Sequence, residues 1–472
     1  MSGTAAMRLH PDRLLPPDPG LREVARRLYH ETRGLPILSP HGHVPARLLS
    51  EDAPFPDPAH LLVTTDHYVT RLLHASGIAQ SDLGVARGRL SEPEARAVWR
   101  LLCENWSVFR GTPVRYWLDS ELADIFGVTE RPSAKNADAL YDQVTDCLGR
   151  AEFRPRALFR RFGIEVLATT DDPADDLAAH RELAESADWT ARVVPTFRPD
   201  VYLEPARPGW RTAVDRLGAA AGIDTGDYPG FVHALEERRR YFIEHGAFSA
   251  DHGHLDARAE PMEGTEAARV FRAASAGDAT PEEANAFRRH MVLEMARMSC
   301  DDGLVMTMHP GSYRDHNSAS AAAYGPDTGG DIPQAIEYTN ALRPLLERYG
   351  THPNLHLVLF TLDEQVWSRE LAPLAGFYPS VYVGAPWWFL DAPDAILRFR
   401  AAVTETVGFS RTSGFIDDTR AFCSIPARHD MSRRVDAAFL ARLVGEHRLD
   451  EDEALETAVA LVDANPRAVF RM

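Results

Sequence analysis

Pro36-Ile37-Leu38-Ser39-Pro40-His41-Gly42-His43 is the stretch on which the reading of this chain turns. A short apolar run leads into two histidines two positions apart. On an extended segment, side chains at i and i+2 face the same way, so both imidazoles can reach one ion. Alone, an HxH pair is a weak signal, because surface and capping histidines are common. Its weight depends on where the segment sits in the fold.

The rest of the chain supplies that place. Apolar, β-branched runs recur at Pro36–Ser39, Ile164–Ala168, Arg192–Thr196, Ala247–Asp251, Leu304–Met308, Leu355–Phe360, Val381–Gly384 and Gly414–Asp417. Amphipathic stretches with helical spacing separate them. Strands alternating with helices imply a parallel sheet, and eight units imply a closed (β/α)8 barrel of the TIM type, an α/β fold. Helix starts are marked too. Thr280-Pro281-Glu282-Glu283 has the form of a capping box, and Phe287, Met291, Met295 and Met298 follow on one face as barrel packing. Asp391-Ala392-Pro393 opens another helix, with Ile396, Phe399 and Val403 inward.

The gap between the first two runs is too long for a simple βα connection. Ser91-Glu92-Pro93-Glu94, followed by Ala97, Val98, Leu101 and Leu102, reads as helix. The expected division is 1–43 as N-terminal segment and first strand, 44–162 as a helical insertion subdomain, and 163–472 as the remaining barrel.

Composition narrows the functional classes. The chain is 44% hydrophobic and 25% charged, ordinary for a soluble globular protein. A formal net charge of −18 counts against nucleic acid, and an anionic substrate would need a local arginine cluster. Cys103, Cys147, Cys300 and Cys423 are widely spaced, which fits a reducing cytoplasm rather than a disulfide framework. No long apolar run suggests a membrane span or signal peptide. Lys135 is the only lysine and sits in a polar, loop-like stretch. Schiff-base chemistry and a carbamylated-lysine metal bridge both need a lysine in the site, so neither is expected.

Barrel enzymes build their sites at the C-terminal ends of the strands. The first run ends in His41 and His43, and the last ends in Asp418 followed by Arg420. Two imidazoles and a carboxylate form a set suited to zinc or a similar divalent ion. His309, after the fifth run, reads either as a ligand or substrate contact or as a satisfied buried histidine. Arg198, Arg314 and Arg420 each follow a strand end; structural ion pairs are one reading, anion binding the favoured one. The fourth run leads to His252, and the seventh to Trp387 and Trp388, which pack or wall a pocket. Asp171-Asp172-Pro173 reads as a helix cap rather than an acid–base pair.

These motifs, in this order, resemble the uronate isomerase (glucuronate isomerase) family, a branch of the amidohydrolase-like barrels. The resemblance spans nearly the whole chain. It runs through His41-Gly42-His43, Asp66-His67-Tyr68, Ala168-Thr169-Thr170-Asp171-Asp172-Pro173, Pro195-Thr196-Phe197-Arg198-Pro199-Asp200, Asp251-His252-Gly253, Gly325-Pro326-Asp327-Thr328-Gly329, Trp387-Trp388-Phe389 and Asp418-Thr419-Arg420. Arg428-His429-Asp430 and Arg433-Arg434 match the closing stretch in type. There are departures at Met308–Arg314, where the family is more apolar and then asparagine-rich, and at Asp417, where it commonly has threonine. These bear on substrate preference more than on reaction type.

The resemblance implies interconversion of D-glucuronate with D-fructuronate, and of D-galacturonate with D-tagaturonate. It also implies a divalent metal held by His41, His43 and Asp418. The expected chemistry passes one proton from C2 to C1 through a cis-enediol. Asp418 is the candidate base, while His67 and Tyr68 donate hydrogen bonds to the C1 oxygen. Arg198, His309, Arg314, Trp387, Trp388 and Arg420 form the substrate pocket. A small-molecule uronate is the only partner implied besides further copies, since barrels of this kind often form homo-oligomers. The rival is a mononuclear metal-dependent hydrolase on the same fold; a silent carbohydrate-binding barrel should have lost the metal set. Binuclear hydrolases need a bridging lysine or glutamate and a sixth-strand histidine, whereas here Phe360-Thr361-Leu362 closes that strand.

Overall fold

The computed structural model describes residues 6–472. Seven parallel strands follow the expected runs: β1 (Ile37–Ser39), β2 (Ile164–Ala168), β3 (Arg192–Val194), β4 (Ser249–His252), β5 (Val305–Met308), β8 (Leu357–Leu359) and β9 (Val381–Val383). Between β5 and β8 lies an antiparallel ribbon of β6 (Ser312–Tyr313) and β7 (Ile332–Pro333), which periodicity did not foretell. Ladders join β1 to β2 to β3, and β4 to β5 to β8 to β9.

The two ladders join into one ring. Phe197, just past β3, accepts from Asp251 N and donates to Ser249 O, linking β3 to β4. At the other end, Val383 N donates to Arg411 O and Ser413 N donates to Val383 O. His43 N then donates to Thr419 O at 3.0 Å, which brings the last segment back beside β1. The arrangement is the α/β barrel expected.

The eighth segment departs from expectation. Gly414–Asp417 forms no ladder; the bridge nearest to it is Val383 with Thr412, two residues before it. Gly414 has φ of 75°, outside the strand region, and its α-carbon is packed against Leu461 O, where a Cβ would lie 2.9 Å away. The Ser413 hydroxyl takes the Ala385 N–H that a strand partner would have taken.

Alternation along the strands sorts the barrel's two faces. Met306, Met308, Leu357, Leu359, Val381 and Val383 pack outward with the helices, including Met291, Met295 and Met298 of helix Pro281–Asp302. That helix starts at the Thr280 capping box as read. Val166, Val305 and Val358 belong to the other large cluster, which also contains Trp99, Trp117 and Leu140 from the stretch between β1 and β2. That stretch is helical, with helices such as His67–Ala75, Glu92–Glu104, Pro113–Ser120 and Ala137–Leu148, and its core is continuous with the barrel's. Lys135 is exposed in a turn there. The four cysteines are buried and unbonded to one another, and among the described residues no helix is long and apolar enough to cross a membrane.

Arg428, from helix Ile425–Gly445, ties the helical stretch to the barrel. Its guanidinium lies 3.6 Å from the Trp117 ring centroid and 4.6 Å from that of Tyr68, and it donates to Asp391 at 2.7 Å. Arg428 and Asp391 are both fully buried. Removing one member of such a pair strands the other's charge. Arg428→Met is expected to lower stability by about 3–5 kcal/mol in denaturant unfolding, against near-zero effect for exposed Arg47→Met.

Candidate active site

β1, β2, β3 and β4 end on one rim, and so do β5, β8, β9 and the last segment. At the centre of that rim, His43 Nε2 lies 3.0 Å and His41 Nε2 3.4 Å from Asp418 Oδ1. The ligand atoms of these three residues lie within 4.8 Å of one another, and they can hold a metal ion. The donor chemistry fits: two imidazole nitrogens and a carboxylate oxygen suit a borderline divalent ion. Burial fits as well, because Asp418 Oδ1 and His41 Nδ1 are buried without a satisfied hydrogen bond. Asp418 has φ of 39°, a left-handed conformation that a non-glycine residue adopts at a cost of about 1–3 kcal/mol and that clusters at functional sites. Burial opposes charge on Asp418, but the close His43 imidazole and the nearby His41 and His309 outweigh it and keep the carboxyl below its usual range. His43 is shifted the other way, toward the neutral ligand form, by burial that Asp418 only partly offsets.

A second carboxylate stands at this centre that the sequence reading passed over. β4 carries Asp251 followed by His252, and only the strand's phase says which points inward. Asp251 does: Thr307 Oγ1 donates to its Oδ1 at 2.6 Å, and its Oδ2 lies 2.9 Å from His309 Nε2, 3.1 Å from Arg198 Nη1 and 3.9 Å from His41 Nε2. Burial again opposes the charge, and His309, His41 and Arg198 together hold Asp251 well below the usual carboxylate value. His252 turns away, its Nδ1 3.0 Å from Thr307 O. His309 thus stands among the site's groups: its ring is 6.3 Å from His41 and 5.2 Å from Trp387.

Above this centre opens a cavity of about 780 Å³. His43, Asp418, Arg198, Arg314, Arg420, His67, Tyr68, Trp387 and Trp388 all line it, so the expected residues converge. His67 and Tyr68 come from the stretch between β1 and β2. Asp66 caps their helix, its Oδ1 accepting from Tyr68 N at 2.8 Å. Burial, reinforced by Arg420, pushes His67 down to about 3, so its ring is neutral. Burial raises the Tyr68 phenol above its ordinary value, so it keeps its proton. Both are donors rather than charges. Trp388, with φ of 54°, sits 5.9 Å from the His67 ring and carries the Arg314 guanidinium 5.2 Å from its own centroid.

The arginines all have acidic partners. Arg198 Nε donates to Asp200 at 3.1 Å, Arg314 Nη1 to Asp331 at 2.9 Å, and Arg420 Nη2 to Asp327 at 3.3 Å. Arg314 is also 3.6 Å from Asp327. Ion pairing and anion binding were posed as alternatives; the ion pairs exist, and the guanidinium groups still border the cavity. The Asp171-Asp172-Pro173 cap is not formed. The next helix starts only at Ala178, with Leu177 as its cap residue, because Asp172 closes a local turn to Ala174 N. At the sixth position of the barrel, β8 ends without a histidine, and His356 at its start bonds Val469 O.

The fold and site define a barrel enzyme with a His–Asp metal-type centre beneath an arginine-bordered cavity. Comparisons specify which. A family model described as glucuronate isomerase matches residues 20–464. A uronate isomerase from Cutibacterium acnes is 52% identical over 99% of both chains. The crystal structure of glucuronate isomerase from Caulobacter crescentus superposes with a TM-score of 0.97 at 45% identity, covering 99% of this chain and 98% of that one. Uronate isomerase from Thermotoga maritima gives 0.92 at 29% identity over 98% and 99%. The chain belongs to the glucuronate isomerase family and is an enzyme of that class.

One glycine holds the site open. A Cβ on Gly253 would stand 2.4 Å from His309 Cε1 and 2.6 Å from Arg198 Nη2. Gly253→Ala must push both aside. An ångström of misplacement costs on the order of 10²-fold in rate; steady-state assay of a folded Gly253→Ala enzyme is expected to show a loss of that size in kcat/KM.

Proposed function

We propose that this enzyme interconverts D-glucuronate with D-fructuronate, and D-galacturonate with D-tagaturonate. The observation that carries the reading is the convergence of His41, His43 and Asp418 beneath a cavity bordered by Arg198, Arg314 and Arg420. A sugar acid has the two things this arrangement suits: oxygens to chelate and a carboxylate to pair. His41, His43 and Asp418 are the proposed ligands of a divalent ion, zinc in our reading, which when bound would hold substrate oxygens and polarise the carbonyl as a Lewis acid.

The protein groups divide the remaining work. Asp418, ionised and central, takes the proton from C2 of the open-chain aldose and returns it to C1, by way of a cis-enediol. His67 and Tyr68 donate hydrogen bonds to O1 as negative charge develops there. The arginines orient the carboxylate and hydroxyls, His309 adds a polar contact, and Trp387 and Trp388 exclude water. Orientation of this kind is worth several kcal/mol because the reacting atoms meet already aligned.

Four measurements test this. Purified, zinc-loaded enzyme incubated with each uronate in D₂O should form ketose, with any exchange into C1 followed by NMR; no turnover of either acid refutes the isomerase reading. Tyr68→Phe removes one donor and should cut kcat by about 10²-fold or more, equivalent to about 3 kcal/mol. Asp418→Asn should abolish turnover, and an unimpaired variant rules out its role as base. Chelation of the metal should suppress activity that zinc then restores.

A further inference from the structure

The opposite end of the barrel carries a second cavity, of about 450 Å³. Residues 33–37, which lead into β1, and 161–163, which lead into β2, line it together with the first turns of helix Ile425–Gly445. The strands run from here toward the rim that holds His41, His43 and Asp418, so the two cavities lie on opposite faces.

Three arginines line this cavity: Arg33, Arg161 and Arg433. The rim arginines are each paired with an aspartate. Among the described residues these three have no carboxylate partner. Arg433 donates instead to the carbonyls of Arg33 at 3.1 Å and Pro36 at 2.9 Å, and Arg161 to those of Ile125 at 3.3 Å and Asp124 at 2.6 Å. A guanidinium has five N–H groups, so two on each are satisfied. Arg433 Nε is buried with no partner. Asp430, the one acid lining the cavity among the described residues, is already taken. Arg13 and Arg434 donate to its Oδ2 at 2.8 and 2.9 Å, and the Tyr29 hydroxyl holds its Oδ1.

Arg433 is only 7% exposed, whereas Arg33 and Arg161 are open to solvent. Burial, partly offset by Asp430 and Tyr29, pushes the Arg433 guanidinium down to about 10, so it stays charged at neutral pH. A buried charge is costly unless it is paired. The chain has acids to spare at a net charge of −18, yet none is placed against it. Helices Pro19–Thr32 and Pro155–Phe162 end here, and arginines often serve C-terminal carbonyls. That role accounts for the two Arg433 bonds but not for Arg33 or the idle Arg433 Nε.

One guanidinium fork already saturates a carboxylate. Three suit a ligand with more oxygens and more charge, and a phosphomonoester carries about −1.5 to −2 near pH 7 on three terminal oxygens. The volume falls within the range of about 300–1,000 Å³ usual for small-molecule sites. We propose that this cavity binds the phosphate group of a small molecule, with Arg433 as the buried anchor and Arg33 and Arg161 flanking it.

The test is titration calorimetry on zinc-loaded enzyme already equilibrated with D-glucuronate, with inorganic phosphate in one arm and glycerol phosphate in the other. Saturable binding is expected, weaker at high salt. Arg33→Ala and Arg433→Gln should each weaken it about 10-fold, the worth of one charged hydrogen bond. Should Arg433→Gln not fold, Arg33→Ala, at an exposed position, decides alone. Glycerol phosphate binding as tightly as phosphate or more so marks an ester as the ligand, and weaker binding marks phosphate itself; either supports the site. No saturable binding at millimolar ligand overturns the proposal and leaves the arginines as helix-end caps. Binding undiminished in the variants overturns it too, by placing the anion elsewhere. Neither result bears on the isomerase reading.

Discussion

The seam between β1 and the last segment carries this structure. Asp418 Oδ1 stands 3.0 Å from His43 and 3.4 Å from His41, while His43 N donates to Thr419 O two peptide units away. The same few residues therefore close the ring and converge as a ligand set. Because the eighth segment has no ladder of its own, its position depends on these contacts, on Ser413 with β9, and on Arg428 and His429 beneath. The left-handed Asp418 persists because its surroundings determine it from several sides.

Much of this was legible in the sequence. Seven of eight strands coincide with apolar, β-branched runs, because burial on both faces leaves a nearly continuous hydrophobic signal. The HxH pair, just past β1, does bring both imidazoles to one aspartate. The eighth segment was misread because Gly414 and Ser413 break the ladder while Phe415 and Ile416 keep the hydrophobic pattern. Asp251 was passed over for a related reason. Asp251 and His252 are adjacent, one faces the centre and one does not, and only the phase of β4 separates them. The short ribbon of β6 and β7 pairs two residues on each side, too few for any periodicity to register.

The long-range electrostatics are also clearer in three dimensions. For a chain with formal charge −18 to collect an anion, as proposed, guanidinium groups must be gathered locally, and three lie within reach of one rim. Composition implied such a cluster. It could not imply that each arginine is already neutralised by an aspartate, because pairing depends on loops that fold back from distant parts of the chain. Asp327 and Asp331 arrive with the ribbon, Asp200 with the loop after β3.

The sharing of Asp327 between Arg314 and Arg420 has a consequence for how a ligand enters. Asp327 stands 3.6 Å from Arg314 and 3.3 Å from Arg420, so one carboxylate counterbalances both guanidinium groups. A sugar acid arriving there, as proposed, would meet a place already held by a carboxylate of the protein's own. On the proposed reading, binding would be closer to ion exchange than to capture, one carboxylate yielding ground to another. Departure would follow the same path backwards, with Asp327 tethered by its own backbone.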